Sequence, residues 1–238
     1  MSINSERLIN TLSEAVREKT ISAAELKAID SAPFERLHAL FKNRFPKLHE
    51  VLECETINSY SLLYKWRGST DHSPVLFMGH IDIVPASDDG WDYTPFSGEV
   101  SEDRIYGRGT IDCKHVVISL LEAVECLIES GFEPRRDIYF FFGHDEECGG
   151  RYGAAECVKI LKERKISPAF VLDEGGNIEI DAIPGISGEI ALPAIAEKGL
   201  LSIKFSFVGE GGHASAPPKK TAVGAMADFI KKAEENPF

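Results

Sequence analysis

Three short apolar segments of the sequence are each followed directly by charged or imidazole side chains. The segments are 75–78, 138–142 and 169–172, and helical patterns at 115–130 and 152–164 lie between them. Apolar runs of this length are typical of buried strands. The order strand–helix–strand–helix–strand predicts the α/β fold class, with a mainly parallel central sheet flanked by helices.

The polar residues at the ends of these segments form one predicted site, because the carboxyl ends of parallel strands meet at the same edge of a sheet. The candidates are His80, Asp82, Asp112, Glu146, Glu147 and Asp173. Nitrogen and oxygen donors without thiolates suit Zn²⁺, Mn²⁺ or Co²⁺. Two adjacent glutamates allow one to bind a metal while the other remains free to move protons.

Two of these residues also have purely structural interpretations. His80 and Asp82 are two residues apart, which predicts that they share one face of a strand and that the carboxylate orients the imidazole. His80 could instead be a histidine satisfied at a strand end. Asp112 precedes the helix 115–130, and the helix dipole favours a carboxylate there without any metal.

The first part of the chain has helical periodicity over residues 5–44. Ser22 is a plausible N-cap, with a glutamate three residues later. Pro33 is expected to begin a second helix and Pro46 to end it. Residues 51–66 then predict a β-hairpin.

The pattern changes after Gly188. Alternation over 200–208 predicts a strand with one solvated face. A glycine-rich loop that contains His213 follows, and then an amphipathic helix over 221–236.

This change predicts a domain boundary near residue 196. Residues 1–196 are expected to form the catalytic domain, and residues 197–238 to begin a small α+β lid domain. About 40 residues cannot complete an ordinary independent domain, so the second region looks truncated.

Composition excludes several classes of partner. The net charge is −12, which argues against nucleic-acid binding and against attraction to anionic membranes. No apolar run approaches the ~18 residues of a membrane span. Residues 1–7 lack a basic segment followed by an apolar core, so we expect no signal peptide.

The five cysteines lack C-x-x-C spacing, and free thiols in the cytoplasm are expected.

Four motifs occur in order along the chain, and Trp91, Pro95, Phe96 and Gly98 lie between the first two. They are Gly79-His80-Ile81-Asp82-Ile83-Val84-Pro85, Gly107-Arg108-Gly109-Thr110-Ile111-Asp112-Cys113-Lys114, Asp145-Glu146-Glu147-Cys148-Gly149-Gly150 and Gly212-His213-Ala214-Ser215-Ala216-Pro217. The pattern resembles the co-catalytic zinc metallopeptidase family of carboxypeptidase G, carboxypeptidase S, aminoacylase and succinyl-diaminopimelate desuccinylase. The resemblance covers roughly residues 75–220.

The resemblance implies two zinc ions per site in the complete enzyme, with Co or Mn as possible replacements. His80 and Asp173 would bind one zinc, and Glu147 would bind the other. Asp112 would bridge the two ions, and Asp82 would orient His80.

The resemblance also implies the reaction. Glu146 would be the general base in hydrolysis, by a metal-bridging hydroxide, of an amide next to a free carboxylate in a small peptide or N-acyl amino acid. His213 would reach the site of a partner subunit and hold the reacting carbonyl oxygen, which implies a homodimer through the lid. His213 could instead be an exposed loop histidine. A cis peptide between Asp112 and Cys113 is a further expectation.

The sequence departs from the family in lacking a final histidine ligand after the lid. The histidines are His38, His49, His72, His80, His115, His144 and His213. The chain is therefore expected to be a fragment, or an abbreviated protein, and to be inactive by itself. The alternative function is a non-catalytic remnant that keeps the fold for association only.

Two further enzymatic alternatives fit the sequence less well. An aminopeptidase of the related dizinc clan is disfavoured by the lid motif at His213. A Cys148 thiolate nucleophile beside His144 lacks an orienting third group, and the flanking acids would raise its pKa.

Overall fold

The computed structural model describes residues 3–196, 199, 201–209, 211–213, 215–216 and 218–237. They form two compact units, one ending at Asn177 and the other beginning at Ile178. The assignment of 1–196 and 197–238 to a catalytic and a lid domain stays a prediction.

The larger unit contains five α-helices, three short 3₁₀ or π segments and seven strands among its described residues. The helices are α1 (Ser5–Arg17), α2 (Ser31–Arg44), α3 (Pro46–Val51), α4 (His115–Glu129) and α5 (Ala154–Glu163). The strands are β1 (Glu53–Ile57), β2 (Ser61–Trp66), β3 (Val75–His80), β4 (Glu99–Ser101), β5 (Arg104–Tyr106), β6 (Ile138–Gly143) and β7 (Phe170–Leu172).

The central sheet has the strand order β1-β2-β6-β3-β7. β3 runs parallel to β6 and to β7, whereas the β1–β2 hairpin adds two antiparallel pairings. The predicted α/β class with helices around a central sheet is confirmed. In the register of β3 with β6, His80 lies opposite Gly143. The ends of these two strands therefore open onto the same edge.

The apolar residues of β6 alternate between two hydrophobic clusters. Phe140 and Phe142 belong to the larger cluster, which includes residues of α1, α2 and α4. Tyr139 and Phe141 belong to the smaller cluster, which includes Leu161 of α5. A strand with both faces buried explains why its sequence is a continuous apolar run.

The predicted helix boundaries in the first part of the chain need correction. Ser22 is not an N-cap. α2 instead begins after Asp30, whose carboxylate accepts a hydrogen bond from the Ala32 N–H. Pro33 lies in the first turn of α2, and Pro46 begins α3. Proline lacks an N–H to donate and its φ suits a first turn, so it can start a helix after another has ended.

The prediction that 169–172 is a buried strand is wrong in one respect. The strand exists as β7, but Phe170, Val171 and Leu172 are 50–54% exposed. β7 lies at the edge of the sheet and pairs with β3 alone among the described strands. An edge strand has no neighbour on its outer side, so its apolar composition does not ensure burial.

The smaller unit contains a two-stranded sheet, formed by β8 (Asn177–Ile180) and β9 (Glu189–Leu192), and the helix α6 (Ala222–Glu235). The sheet was not predicted. The helix was predicted, and Thr221 caps it by accepting a hydrogen bond from the Gly224 N–H at 3.0 Å.

The predicted strand at 200–208 is not found over 201–208, and Leu200 lies outside the described residues. No described strand pairs with this segment, and a strand requires a partner for its backbone groups. Phe205 and Phe207 instead contact Phe229 of α6, with ring centroids 4.4 and 5.6 Å apart.

A glycine substitution tests the packing of the loop 85–109 on α1. Gly98 has φ +58°, and a Cβ there would lie 2.1 Å from the Ser13 carbonyl oxygen. Gly90 has φ +81°, and a Cβ there meets nothing within 4 Å. Gly90→Ala should cost about 1–2 kcal/mol for the left-handed backbone. Gly98→Ala should cost about 1–3 kcal/mol more, because the added methyl group overpacks the interface.

The measurement is the urea midpoint of the two variants and the parent chain. Equal losses of unfolding free energy at Gly90 and Gly98 would contradict the contact with Ser13.

Candidate metal centre

β3 delivers His80 to the edge of the sheet. The imidazole is 1% exposed. Its Nδ1 lies 3.0 Å from the backbone oxygen of Asp82 and 3.3 Å from a carboxylate oxygen of the same residue. β3 ends at His80, so Asp82 follows the strand rather than sharing a strand face as predicted. The expected contact between the two side chains is nevertheless present.

Asp82 connects the end of β3 to the loop after β6. Its carboxylate is fully buried and accepts hydrogen bonds from the backbone N–H groups of Glu146 and Glu147, both at 3.2 Å. Buried carboxylates require such donors. Asp82 therefore positions the imidazole and both glutamates at once.

The second nitrogen of His80, Nε2, faces three carboxylates. It lies 2.8 Å from Asp112, 3.3 Å from Glu174 and 3.8 Å from Glu146. One ligand atom from each of His80, Asp112 and Glu147 also lies within 4.8 Å of the other two. The structure thus brings together the candidates that follow β3 and β6 and the one that precedes α4.

Asp112 lies on a wide helical turn, Thr110–Lys114, directly before α4. The peptide between Asp112 and Cys113 is cis, which confirms the expectation. Gly109 precedes this turn with φ +81°, and a Cβ there would lie 2.4 Å from the Ile83 side chain. A glycine is required for this close approach.

Lys114 fixes the same turn to the C-terminal end of α1. Its buried ammonium donates to the carbonyl oxygens of Ala15 and Glu18, at 2.8 and 2.7 Å. Carbonyls at the end of a helix lack the usual partner four residues on, and these two accept short-range backbone hydrogen bonds from the N–H groups of Glu18 and Thr20 besides the ammonium. Burial lowers the pKa of Lys114 to about 7, and the charges of Glu18 and Asp82 oppose this shift.

The residues that precede the two glutamates are buried and hydrogen-bonded. Asp145 accepts hydrogen bonds from the Tyr152 and Gly153 N–H groups, at 2.7 and 2.9 Å. His144 Nδ1 lies 2.6 Å from the Ser61 hydroxyl oxygen. These contacts fix the loop backbone directly before Glu146, and they thereby restrict where the side chains of Glu146 and Glu147 can lie.

The pKa values of the carboxylates in the site are shifted by burial and by the charges of their neighbours. Burial raises the pKa of Glu146, nearby Glu174 adds to the rise, and His80 opposes it. Burial and Asp112 likewise raise the pKa of Glu147. Hydrogen bonding to His80 lowers the pKa of Glu174. For His80, burial lowers the pKa, but hydrogen bonds, with that to Asp82 the largest, outweigh it and raise the pKa.

Asp173 and Glu174 both line one cavity, but they make different contacts. The cavity, of about 270 Å³, is lined by His80, Glu146 and both residues. Glu174 contacts the imidazole, whereas Asp173 is exposed and accepts a hydrogen bond from the Glu174 N–H at 2.9 Å. Asp173 as a metal ligand stays a prediction. Glu174 was not among the residues predicted from the sequence. It follows Asp173 directly after an apolar segment, and this position could have marked it as a candidate.

His213 belongs to the smaller unit. It is exposed, and its Nδ1 lies 2.8 Å from the Ser215 hydroxyl oxygen. Two residues of its motif, Ala214 and Pro217, lie outside the described residues. The role of His213 stays a prediction.

The chemistry of the donors in the larger unit fits a divalent cation. A buried imidazole nitrogen and carboxylate oxygens are the ligands that zinc takes in catalytic sites. Burial, and to a lesser degree the neighbouring carboxylates, raise the pKa values of Glu146 and Glu147. His80, Asp112 and Glu147 are therefore the residues best placed to hold a metal.

Comparison with known proteins agrees with this fold. The family described as "Peptidase family M20/M25/M40" matches residues 76–237. Probable carboxypeptidase S-like 2 of Dictyostelium discoideum is 43% identical over 236 residues, which are 97% of this chain and 46% of that protein. Carboxypeptidase S of Saccharomyces cerevisiae is 38% identical over 97% of this chain and 42% of its own length.

A third relative has a different name. The N-fatty-acyl-amino acid synthase/hydrolase PM20D1 of Xenopus tropicalis is 37% identical over 97% of this chain and 46% of its own length. The chain thus spans a little under half the length of these curated relatives.

Solved structures share the fold. The M20 family metallo-carboxypeptidase Sso-CP2 from Sulfolobus solfataricus is 21% identical, with a TM-score of 0.58 over 72% of this chain and 38% of its own. Human carnosine dipeptidase 1 is 21% identical, with a TM-score of 0.56 over 74% of this chain and 39% of its own. The chain belongs to the peptidase M20 family.

Among the described residues, no helix is long and apolar enough to cross a membrane.

Replacement of Asp82 by Asn tests its positioning role. The amide keeps the size of the side chain but loses the charge beside His80 and one acceptor oxygen for the loop N–H groups. Loss of such an outer partner typically lowers metal affinity about 10–100-fold. Zn²⁺ affinity, measured by competition with a chelator, should fall by that factor in Asp82→Asn. The exposed Asp71→Asn variant is the control, and equal affinity in the two variants would contradict the role.

Proposed function

We propose that the whole protein hydrolyses an amide bond next to a free carboxylate, in small peptides or N-acyl amino acids. The observation that carries this proposal is the convergence of His80, Asp112 and Glu147, with Glu146 at the same edge of the sheet. Membership of the peptidase M20 family supports the hydrolytic class. The names of the relatives, carboxypeptidase S and N-fatty-acyl-amino acid synthase/hydrolase, support the two substrate classes.

The proposed metal ligands are His80, Asp112, Glu147 and Asp173, and Asp112 would be the ligand shared by two zinc ions. When bound, such ions act as Lewis acids on the carbonyl oxygen and lower the pKa of water. Asp82 holds the His80 ring so that Nε2 remains available to a cation.

Glu146 is the proposed general base. It accepts a proton from the attacking water and delivers it to the amide nitrogen as the carbon–nitrogen bond breaks, so that an amine and a carboxylate are formed. Partial burial is the largest cause that raises its pKa in the metal-free chain, and a rise in this direction suits a group that both accepts and donates a proton near neutral pH. Its side chain is 57% exposed and thus accessible to water and substrate.

Replacement of each glutamate separates the two roles. In the whole protein, Glu146→Gln should lower kcat roughly 10²–10⁴-fold, because a general base is lost, while the metal content stays unchanged. Glu147→Gln is the matched variant and should lose metal. Steady-state kinetics and metal analysis of both proteins provide the measurement. Metal loss from Glu146→Gln with metal retained in Glu147→Gln would invert the assignment.

The substrate class is tested by an activity panel. Dipeptides and N-acyl amino acids, each with its carboxylate free or amidated, would be assayed with the zinc-loaded whole protein. Hydrolysis that requires the free carboxylate is the expected result. A protein that binds zinc in the proposed site but hydrolyses no member of the panel would favour the non-catalytic alternative.

The 238-residue chain itself is expected to bind at most one Zn²⁺ tightly and to show little or no hydrolysis. A metal site weakens when a ligand or its supporting partner is missing, and the second ion has Glu147 and Asp112 but no second histidine ligand from the predicted set. Isothermal titration of the chain with Zn²⁺, beside the whole protein, measures the stoichiometry. Two tight equivalents with full activity would show that this ligand count is wrong.

The proposal also includes a cytoplasmic homodimer that associates through the lid, where His213 would hold the carbonyl oxygen in a partner's site. Apolar residues of the smaller unit support the association. Leu201, Ile203 and Phe205 are 53–77% exposed, and exposed apolar patches are typical of interaction surfaces.

A further inference from the structure

The thiol of Cys113 lies beside the candidate metal centre, on its buried side. Cys113 is 1% exposed and follows Asp112 directly. The backbone N–H of His80 donates to its sulfur at 3.0 Å. The thiol in turn donates to the His80 carbonyl oxygen at 3.4 Å. Burial raises the pKa of Cys113 to about 11, and the contacts with His80 oppose this rise, so a metal that binds the sulfur must displace the thiol proton. The sequence predicts a donor set without thiolates, whereas the fold places this sulfur beside His80.

Cys113 shares its surroundings with two other metal-binding side chains. One ligand atom from each of His80, Cys113 and Glu174 lies within 4.8 Å of the other two. This set differs from His80, Asp112 and Glu147, and only the imidazole is common to both. The Nδ1 of His80 contacts Asp82, so Nε2 is the nitrogen left for a cation. One nitrogen cannot bind two cations, and the two sets therefore compete.

The two sets differ in chemical softness. The set with Asp112 and Glu147 offers carboxylate oxygens, which suit harder cations, whereas a thiolate selects soft ones. We propose that His80, Cys113 and Glu174 form a site for a soft divalent cation, such as Cd²⁺, whose occupation prevents a cation from binding His80 together with Asp112 and Glu147. Binding releases the thiol proton to water as the sulfur–metal bond forms. The proposal rests on the geometry of the proposed hydrolytic centre and not on its activity.

The other cysteines provide controls. Cys54 and Cys148 are exposed, and the sulfur of Cys148 lies 3.4 Å from the Ser22 hydroxyl oxygen. Among the described residues, neither belongs to a group of potential metal ligands such as that of Cys113. Cadmium bound by an exposed thiol can therefore be distinguished from cadmium bound at the buried position.

The experiment is a titration of the metal-free chain with Cd²⁺, followed by the ultraviolet sulfur-to-cadmium charge-transfer absorption. A single tight equivalent with this absorption is expected in the parent chain, in Cys148→Ser and in Cys54→Ser. Cys113→Ser and Cys113→Ala should lose the absorption. Glu174→Gln should keep the absorption but bind Cd²⁺ about 10–100-fold more weakly, because a ligand is lost.

Circular dichroism and thermal unfolding establish whether the Cys113 variants are folded. Two different replacements are used so that the test remains possible if one variant does not fold. Absence of the absorption in the parent chain, or its persistence in both folded Cys113 variants, overturns the proposal. A second titration measures Zn²⁺ affinity with and without one equivalent of Cd²⁺. Unchanged Zn²⁺ affinity in the presence of Cd²⁺ overturns the competition between the two sets.

Asp112→Asn distinguishes this proposal from the proposed function. It should weaken Zn²⁺ binding and leave the sulfur-to-cadmium absorption in place. If Zn²⁺ binding does not depend on Asp112 while the absorption depends on Cys113, the hydrolytic centre is wrongly assigned and the thiolate site stands. Loss of the absorption in Asp112→Asn contradicts a separate ligand set and overturns the proposal.

Discussion

The parallel pairing of β3 with β6 decides where the site lies. Its register places His80 opposite Gly143, so the residues that leave the two strands enter the same space. Asp82 uses this proximity, because its buried carboxylate accepts hydrogen bonds from the loop after β6 and contacts the imidazole at the end of β3. A shift of one residue in this register would reverse the faces of the strand and separate these groups.

The site concentrates negative charge around one buried imidazole. Carboxylates of Asp112, Glu146 and Glu174 all approach His80 within 3.8 Å. Like charges so close are unfavourable unless a cation or a proton compensates them. Burial lowers the pKa of His80, but hydrogen bonds to groups that include Asp82 and Glu174 outweigh it and raise the pKa. A metal that binds this imidazole must displace its proton, which links metal affinity to pH.

Contacts with α1 and with the segment after β3 position the carboxylate of Asp112. The turn that carries Asp112 is tied to α1 by the buried ammonium of Lys114, and Gly109 allows it to approach Ile83. The two hydrogen bonds of Lys114 join residues 99 and 96 positions apart. The N-terminal helices, which contribute no predicted ligand, thereby support the geometry of the site.

The sequence by itself determined the α/β class, the strands that carry the site and most of the candidate residues, because these depend on local hydrophobic patterns and on four ordered motifs. Long-range packing decided the rest. β7 has the composition of a buried strand, yet its exposure depends on its position at the sheet edge. Glu174 contacts His80 because of how the chain leaves that strand. Cys113 approaches the imidazole through the fold of a turn that no spacing rule describes. Only the tertiary structure, which sets distances between residues far apart in sequence, could decide these contacts.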